Sequence, residues 1–313
     1  MLTRPEASRG AYLQVLVAAR GAPRNQVSSL SGLTNTYIRD LERDVIANVP
    51  RGNLIALGLA LNLGLDELDT LLARFDRAAL AEGDIPAFLG LADRLRLSTA
   101  LHACHNLLYE LVVTSLVGPG ASRVTIVNQR PTGALRPSGY RTYFDRHVLA
   151  AHPLYPALVE AIGAFRRERL EAALAAGCRV EHVLSHAHLT EYAGAPGPRV
   201  ERRWRRAHVA ALADLMRRSP GFSVRLIPTA PTFQYTLAER SGDGAPAVGF
   251  EGWPSPGTTR LSPGALTGFA TAAPPVVASF AEDLARCRSG AVDGLADRDA
   301  TLNALEELAR QPV

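Results

Sequence analysis

Asn35, Thr36, Tyr37, Arg39 and Asp40 put an amide, two hydroxyls, a guanidinium and a carboxylate within two turns of chain. Such groups make directional, often bidentate hydrogen bonds to planar donors and acceptors. Arg24, Asn25, Gln26 and Thr34 precede them, and Arg43 and Arg51 follow. A second constellation lies far along the chain, where His186 and His188 come shortly before Arg199, Arg202, Arg203, Arg205 and Arg206. Guanidinium and imidazole groups suit an anion, and an imidazole pair also suits a metal. His102, Cys104 and His105 form a third, the material of a thiol or metal sensor or simply of a packed helix. No Ser-His-Asp elbow, GxGxxG or HExxH occurs. The chain has no lysine, so all 34 of its basic residues are arginine. That excludes a P-loop lysine and a Schiff-base lysine.

With 313 residues, 47% of them hydrophobic, the chain can bury a large core and suits two domains. Cys104, Cys178 and Cys287 are widely spaced and form no CxxC pair, so neither a disulfide framework nor a zinc finger is expected. The first ten residues contain no apolar signal segment, and no apolar run approaches the ~18 residues of a membrane helix. A soluble cytoplasmic protein without cofactor or metal is expected. Net charge is +4, unevenly spread. Residues 1–53 hold seven arginines against four acids, and residues 166–218 hold eleven against six.

Five short helices are predicted between residues 11 and 76. The first carries Tyr12, Val15, Leu16 and Ala19 on one stripe and ends at Gly21. Pro23 opens the second, which buries Val27 and Leu30 and stops at Gly32. Thr34 is placed to cap the third, in which Ile38 and Leu41 face inward and the polar set faces out. The fourth starts near Arg51 and buries Leu54, Leu57 and Leu61, and the fifth carries Leu65, Leu68, Leu71, Leu72 and Phe75.

The segment from Pro23 to Arg43 reads as helix-turn-helix, and it resembles the lambda-repressor-like (XRE) DNA-binding domain over about 65 residues. The resemblance implies a third helix that enters the major groove, with Asn35, Thr36, Tyr37, Arg39 and Asp40 reading base edges. It assigns phosphate contacts to Arg24, Asn25, Gln26, Thr34, Arg43 and Arg51. Two departures stand out: Asp44 replaces the usual glycine after the Glu-Arg pair, and the loop to Val49 is about one residue longer than the common form.

Beyond residue 78 a helical connector is expected to residue 118, with helices near Ile85–Leu95 and Thr99–Val117. The latter is apolar enough for a buried connector or a dimer helix. Residues 119–313 read as an α/β domain with a mixed sheet: strands at Val124–Val127, Arg179–Ser185, Phe222–Ile227, Phe233–Leu237 and Ala247–Phe250, and helices at Leu154–Ala176, Val200–Arg218, Pro275–Arg286 and Ala300–Arg310. The element order is weakly similar to a catalytically silent phospholipase D-like domain, and the missing lysine excludes an active one.

On an extended strand His182 and His186 would stand about 13 Å apart, whereas His186 and His188, about 7 Å apart on one face, could share a metal or line a polar cleft. Arg202, Arg203 and Arg206 read either as a solvated helix face or, with those histidines, as an anion or ligand site. Arg166, Arg167 and Arg169 could join that surface if their helix is its neighbour. Trp253 is a candidate pocket wall, with loop packing as the alternative. The fold expected is thus an α N-terminal five-helix bundle, residues 1–78, followed by an α/β domain. The function expected is a homodimeric, non-enzymatic transcriptional regulator that binds double-stranded operator DNA and senses a small-molecule effector or stress. A nucleic-acid-processing or phosphodiester-acting enzyme is the alternative.

Overall fold

The computed structural model describes residues 8–144, 152–229, 231–242, 244–251, 266–289 and 297–310. Five helices open it: α1 (Arg9–Ala19), α2 (Arg24–Ser31), α3 (Asn35–Glu42), α4 (Arg51–Ala60) and α5 (Leu65–Arg74). Their ends follow local chemistry. Ser8 Oγ accepts from the Ala11 N–H at 3.2 Å to cap α1, and Thr34 Oγ1 accepts from the Tyr37 N–H at 3.1 Å to cap α3. Gly32 ends α2 at φ +70°, and a Cβ there would stand 2.8 Å from Arg94 Cβ, so both backbone shape and space require glycine. Val27, Leu30, Ile38, Leu54, Leu57, Leu68 and Leu71 are fully buried. Val15 was expected inward but is half exposed; α1 buries Tyr12, Leu13 and Leu16 instead.

Two short helices follow, α6 (Ile85–Leu89) and α7 (Leu91–Arg94). The single helix expected over Thr99–Val117 is not formed. Its first part is strand β1 (His102–His105), and only α8 (Asn106–Leu116) is helical. The cause is tertiary: β1 pairs antiparallel with β7 (Leu266–Thr271), a partner far away in sequence. Leu101, just ahead of β1, is exposed.

The remaining elements are β2 (Ala121–Asn128), α9 (Tyr140–Phe144), α10 (Tyr155–Ala175), β3 (Arg179–Ser185), α11 (His186–Gly194), α12 (Arg199–Arg218), β4 (Phe222–Ile227), β5 (Tyr235–Arg240), β6 (Ala247–Glu251), α13 (Pro274–Ser289) and α14 (Arg298–Arg310). The strands form one mixed sheet in the order β1-β7-β6-β5-β2-β3-β4. Strands β2, β3 and β4 are parallel, while β2–β5, β5–β6, β6–β7 and β7–β1 are antiparallel. This is the α plus α/β class expected.

Alternation along the strands divides the layers. Val124, Ile126, Val180, Val224 and Leu226 meet Leu170, Val209, Leu212 and Leu305 of α10, α12 and α14. Val127, Val183, Ile227 and Leu237 meet Val277, Phe280 and Leu284 of α13 on the other side. A third core joins α1–α7 to Leu108, Leu111 and Val112 of α8 and to Leu158 and Ile162 of α10. The strongly apolar α8 is therefore covered within its own chain, between the first helices and the sheet.

Candidate functional site

Helix α3 presents its polar set as its period requires. Ile38 and Leu41 are buried, while Asn35, Thr36, Arg39 and Arg43 are exposed and Asp40 is half buried. Arg39 Nε stands 3.9 Å from Asp40, a loose pair in water. Tyr37 differs from its neighbours, because it is half buried and its hydroxyl accepts from Asn53 Nδ2 at 3.1 Å. That bond ties α3 to α4. Thr34 spends its hydroxyl on the cap, and Asn25 Oδ1 accepts from the Gln26 N–H at 2.9 Å.

The three arginines flanking α3 have different surroundings. Arg24, at the start of α2, donates through Nε to the buried carboxylate of Glu42 at 2.7 Å, yet keeps over half of its side chain exposed. Glu42 is thereby paired, which a buried carboxylate needs. Arg43 closes α3 with its side chain exposed. Arg51 forks onto Asp84 at 2.5 and 2.7 Å and also donates to the Ala78 and Ala79 carbonyls at 2.7 and 2.8 Å. Its hydrogen-bonding capacity is taken up by the chain itself, and it locks α4 to the 78–84 segment. The neighbouring guanidinium holds the Asp84 carboxyl below the ordinary carboxylate range.

Asp44, the departure from the glycine pattern, has φ +57°. Aspartate is among the few residues that tolerate the left-handed region. Its Oδ1 accepts from the Gly10 N–H at 2.7 Å, so the substituting side chain caps α1. The turn that releases the chain from α3 thus also fixes α1 against it.

The histidine and arginine clusters of the α/β region are arranged differently from expectation. Strand β3 ends at Ser185, whose hydroxyl accepts from the His188 N–H at 3.3 Å, and α11 begins at His186. His186 and His188 are therefore not strand neighbours on one face. They occupy a first helical turn, two positions apart, where side chains diverge. His102 and His105 likewise do not share a helix face. Alternation in β1 buries His102 with Cys104 and leaves His105 half buried, and burial lowers the pKa of His102 to about 4 and raises that of Cys104 to about 12. Among the described residues no group of three metal-ligating side chains converges.

Helix α12 keeps Arg203 exposed and Arg202 half buried, with Arg206 buried. Arg202 donates to the Gly197 carbonyl at 2.9 Å, and Arg205 to the Ala195 carbonyl and to Glu201 at 2.8 Å each. These arginines fasten the loop before their own helix. The α10 arginines do not extend that surface: Arg166 pairs with Glu110, Arg169 with Asp93, and Arg167 donates to the Arg136 carbonyl at 2.6 Å. Trp253 lies outside the described residues.

One charged group escaped the sequence reading. Glu110 stands alone in the apolar run of α8, and Arg141 donates to its Oε1 at 3.1 Å while Arg166 donates to its Oε2. Burial would raise its pKa, but Arg166, Arg141 and Arg136 outweigh that and hold it down to about 2. A solitary carboxylate among Leu107, Leu108, Leu111 and Val112 was the available signal, since such a group is buried only when paired. A second buried network links the Tyr140 hydroxyl to that of Tyr192 at 2.9 Å, Tyr192 to His208 Nδ1 at 3.0 Å, and His208 Nε2 to the Thr132 carbonyl oxygen at 2.9 Å.

Comparison with known protein families, curated proteins and solved structures returned no match to this chain.

Proposed function

We propose that the chain is a sequence-specific DNA-binding regulator that uses α3 as its reading helix. The observation that carries this is the division of α3: Ile38 and Leu41 buried, with Asn35, Thr36 and Arg39 standing out on a short helix after a tight glycine turn. A helix so presented fits the major groove, and its first turn reaches base edges. Asn35 is suited to adenine, Asp40 to the cytosine amino group and Arg39 to guanine. Arg43 and the exposed part of Arg24 supply phosphate contacts, with Asn25 and Gln26 as neutral donors at the start of α2. Thr34 and Tyr37 set the helix in place, and Arg51 serves the fold rather than the backbone of DNA.

A single small module buries too little surface for operator-level specificity, so a homodimer on two half-sites follows. The remaining chain would dimerise and receive the signal. Selection of binding sites from random duplex DNA by the purified protein tests the reading. Enrichment of a two-part motif supports it, and a pool that stays random after repeated rounds rejects it. In the enriched motif, Asn35→Ala is expected to relax preference at one base pair, a discrimination of about 1–3 kcal/mol.

A further inference from the structure

A cleft of about 340 Å³ opens between residues 133–141, α8 and α10. Among the described residues its walls carry four guanidinium groups, Arg136, Arg141, Arg166 and Arg167, against two carboxylates, Glu110 and Glu160. Glu110 engages Arg141 and Arg166. Glu160 is held by neutral donors instead: the Gly139 N–H at 3.2 Å, the Ser138 hydroxyl at 3.4 Å and the Thr142 hydroxyl at 2.6 Å. Arg167 donates to the Ala134 and Arg136 carbonyls.

Arg136 is the exception. It is half buried, and its guanidinium makes no hydrogen bond or ion pair among the described residues; it only overlies the Tyr140 ring at 6.0 Å. Burial and the like charges of Arg141 and Arg166 drive its pKa below the ordinary arginine value, with Glu110 opposing. Glu110 lies near but is engaged by Arg141 and Arg166, so Arg136 has no carboxylate of its own.

We infer that this cleft binds a small molecule through a phosphate group, with Arg136 as its principal anchor. The imbalance of four guanidiniums over two carboxylates leaves two positive charges, which a phosphate monoester dianion matches and a carboxylate does not. Guanidinium forks also fit phosphate geometry. The volume lies near the lower end of the ~300–1,000 Å³ usual for ligand sites, which leaves room for an organic part beside the phosphate. This inference stands apart from DNA binding and would survive its failure.

The test is calorimetric and thermal-shift titration of the full chain with glycerol phosphate and inorganic phosphate, using acetate and chloride at matched ionic strength as controls. Saturable binding of one phosphate compound per chain is expected. Arg136→Gln should weaken it at least tenfold, while the ligand-free melting midpoint stays near the wild-type value because the Arg136 guanidinium makes no hydrogen bond or ion pair among the described residues. Arg203→Ala, at an exposed position of α12, should leave the affinity at the wild-type value. Absence of saturable binding overturns the inference, as does acetate binding as tightly as phosphate. Wild-type affinity in Arg136→Gln, or loss of binding in Arg203→Ala, places the anion elsewhere and overturns the assignment to this cleft.

Discussion

Arg43 and Arg51 carry the same charge eight positions apart but differ in surroundings: Arg43 is exposed, whereas Arg51 is held by Asp84 and two carbonyls. Arg51→Ala would strand the largely buried Asp84 carboxylate and free two carbonyls, costing about 1–3 kcal/mol of stability. Urea unfolding should show that loss, and the folded variant should keep wild-type DNA affinity. Arg43→Ala is expected to behave in the opposite way, with unchanged stability, weaker binding to all sequences alike and a salt slope reduced by about 1. A DNA defect in Arg51→Ala without a stability defect would return Arg51 to the phosphate contacts. Residue types and helical period made the outward set of α3 legible from sequence. The partners of Arg51, Tyr37 and Glu110 were not, because each lies across the fold and spacing carries no record of it.

At the scale of elements, the junction between α1 and the end of α3 is tight. A Cβ on Gly10 would stand 2.5 Å from the Glu42 carbonyl oxygen and 2.9 Å from Asp44 Oδ2. Gly10→Ala must therefore push α1 away from the turn that ends α3. Denaturation should report a loss of about 1–3 kcal/mol, as for an overpacked contact, and DNA affinity should fall with it as the orientation of α3 loosens. An unchanged unfolding midpoint would contradict this packing. The first five helices were readable because each carries its own stop and start, Gly32 and Thr34 above all, within a few residues of its apolar stripe. Strand β1 was not. Its residues suit a helix as well as a strand, and only pairing with β7 decides between them. His186 and His188 were misplaced for a related reason, since Ser185 ends β3 by capping α11 without a glycine or proline to mark the change.

For the molecule as a whole, burial of neutral histidines sets the response to acid. Burial lowers the pKa of His102 and of His182 from 6.5 to about 4, and that of His208 to about 3. Their folded values lie below the unfolded one, so their stabilising effect is complete above pH 6.5 and is lost as pH falls toward 4 and 3. Within that window each such histidine contributes a slope of about 1.4 kcal/mol per pH unit. Below pH 4.5 the depressed Glu110 adds to the loss. Melting midpoints recorded from pH 8 to 4 should hold level and then fall steadily below about 6.5; a flat profile to pH 5 would contradict the buried neutral states. DNA recognition through α3, proposed above, calls for its own test. Footprinting of the purified protein on genomic DNA across salt concentrations, beside Asn35→Ala and Arg39→Ala, tests it most directly. Discrete sites are expected, with half-sites about one helical turn apart and altered base preference in both variants. Diffuse binding that only falls with salt, identical in all three proteins, would leave nothing but arginine electrostatics and contradict it.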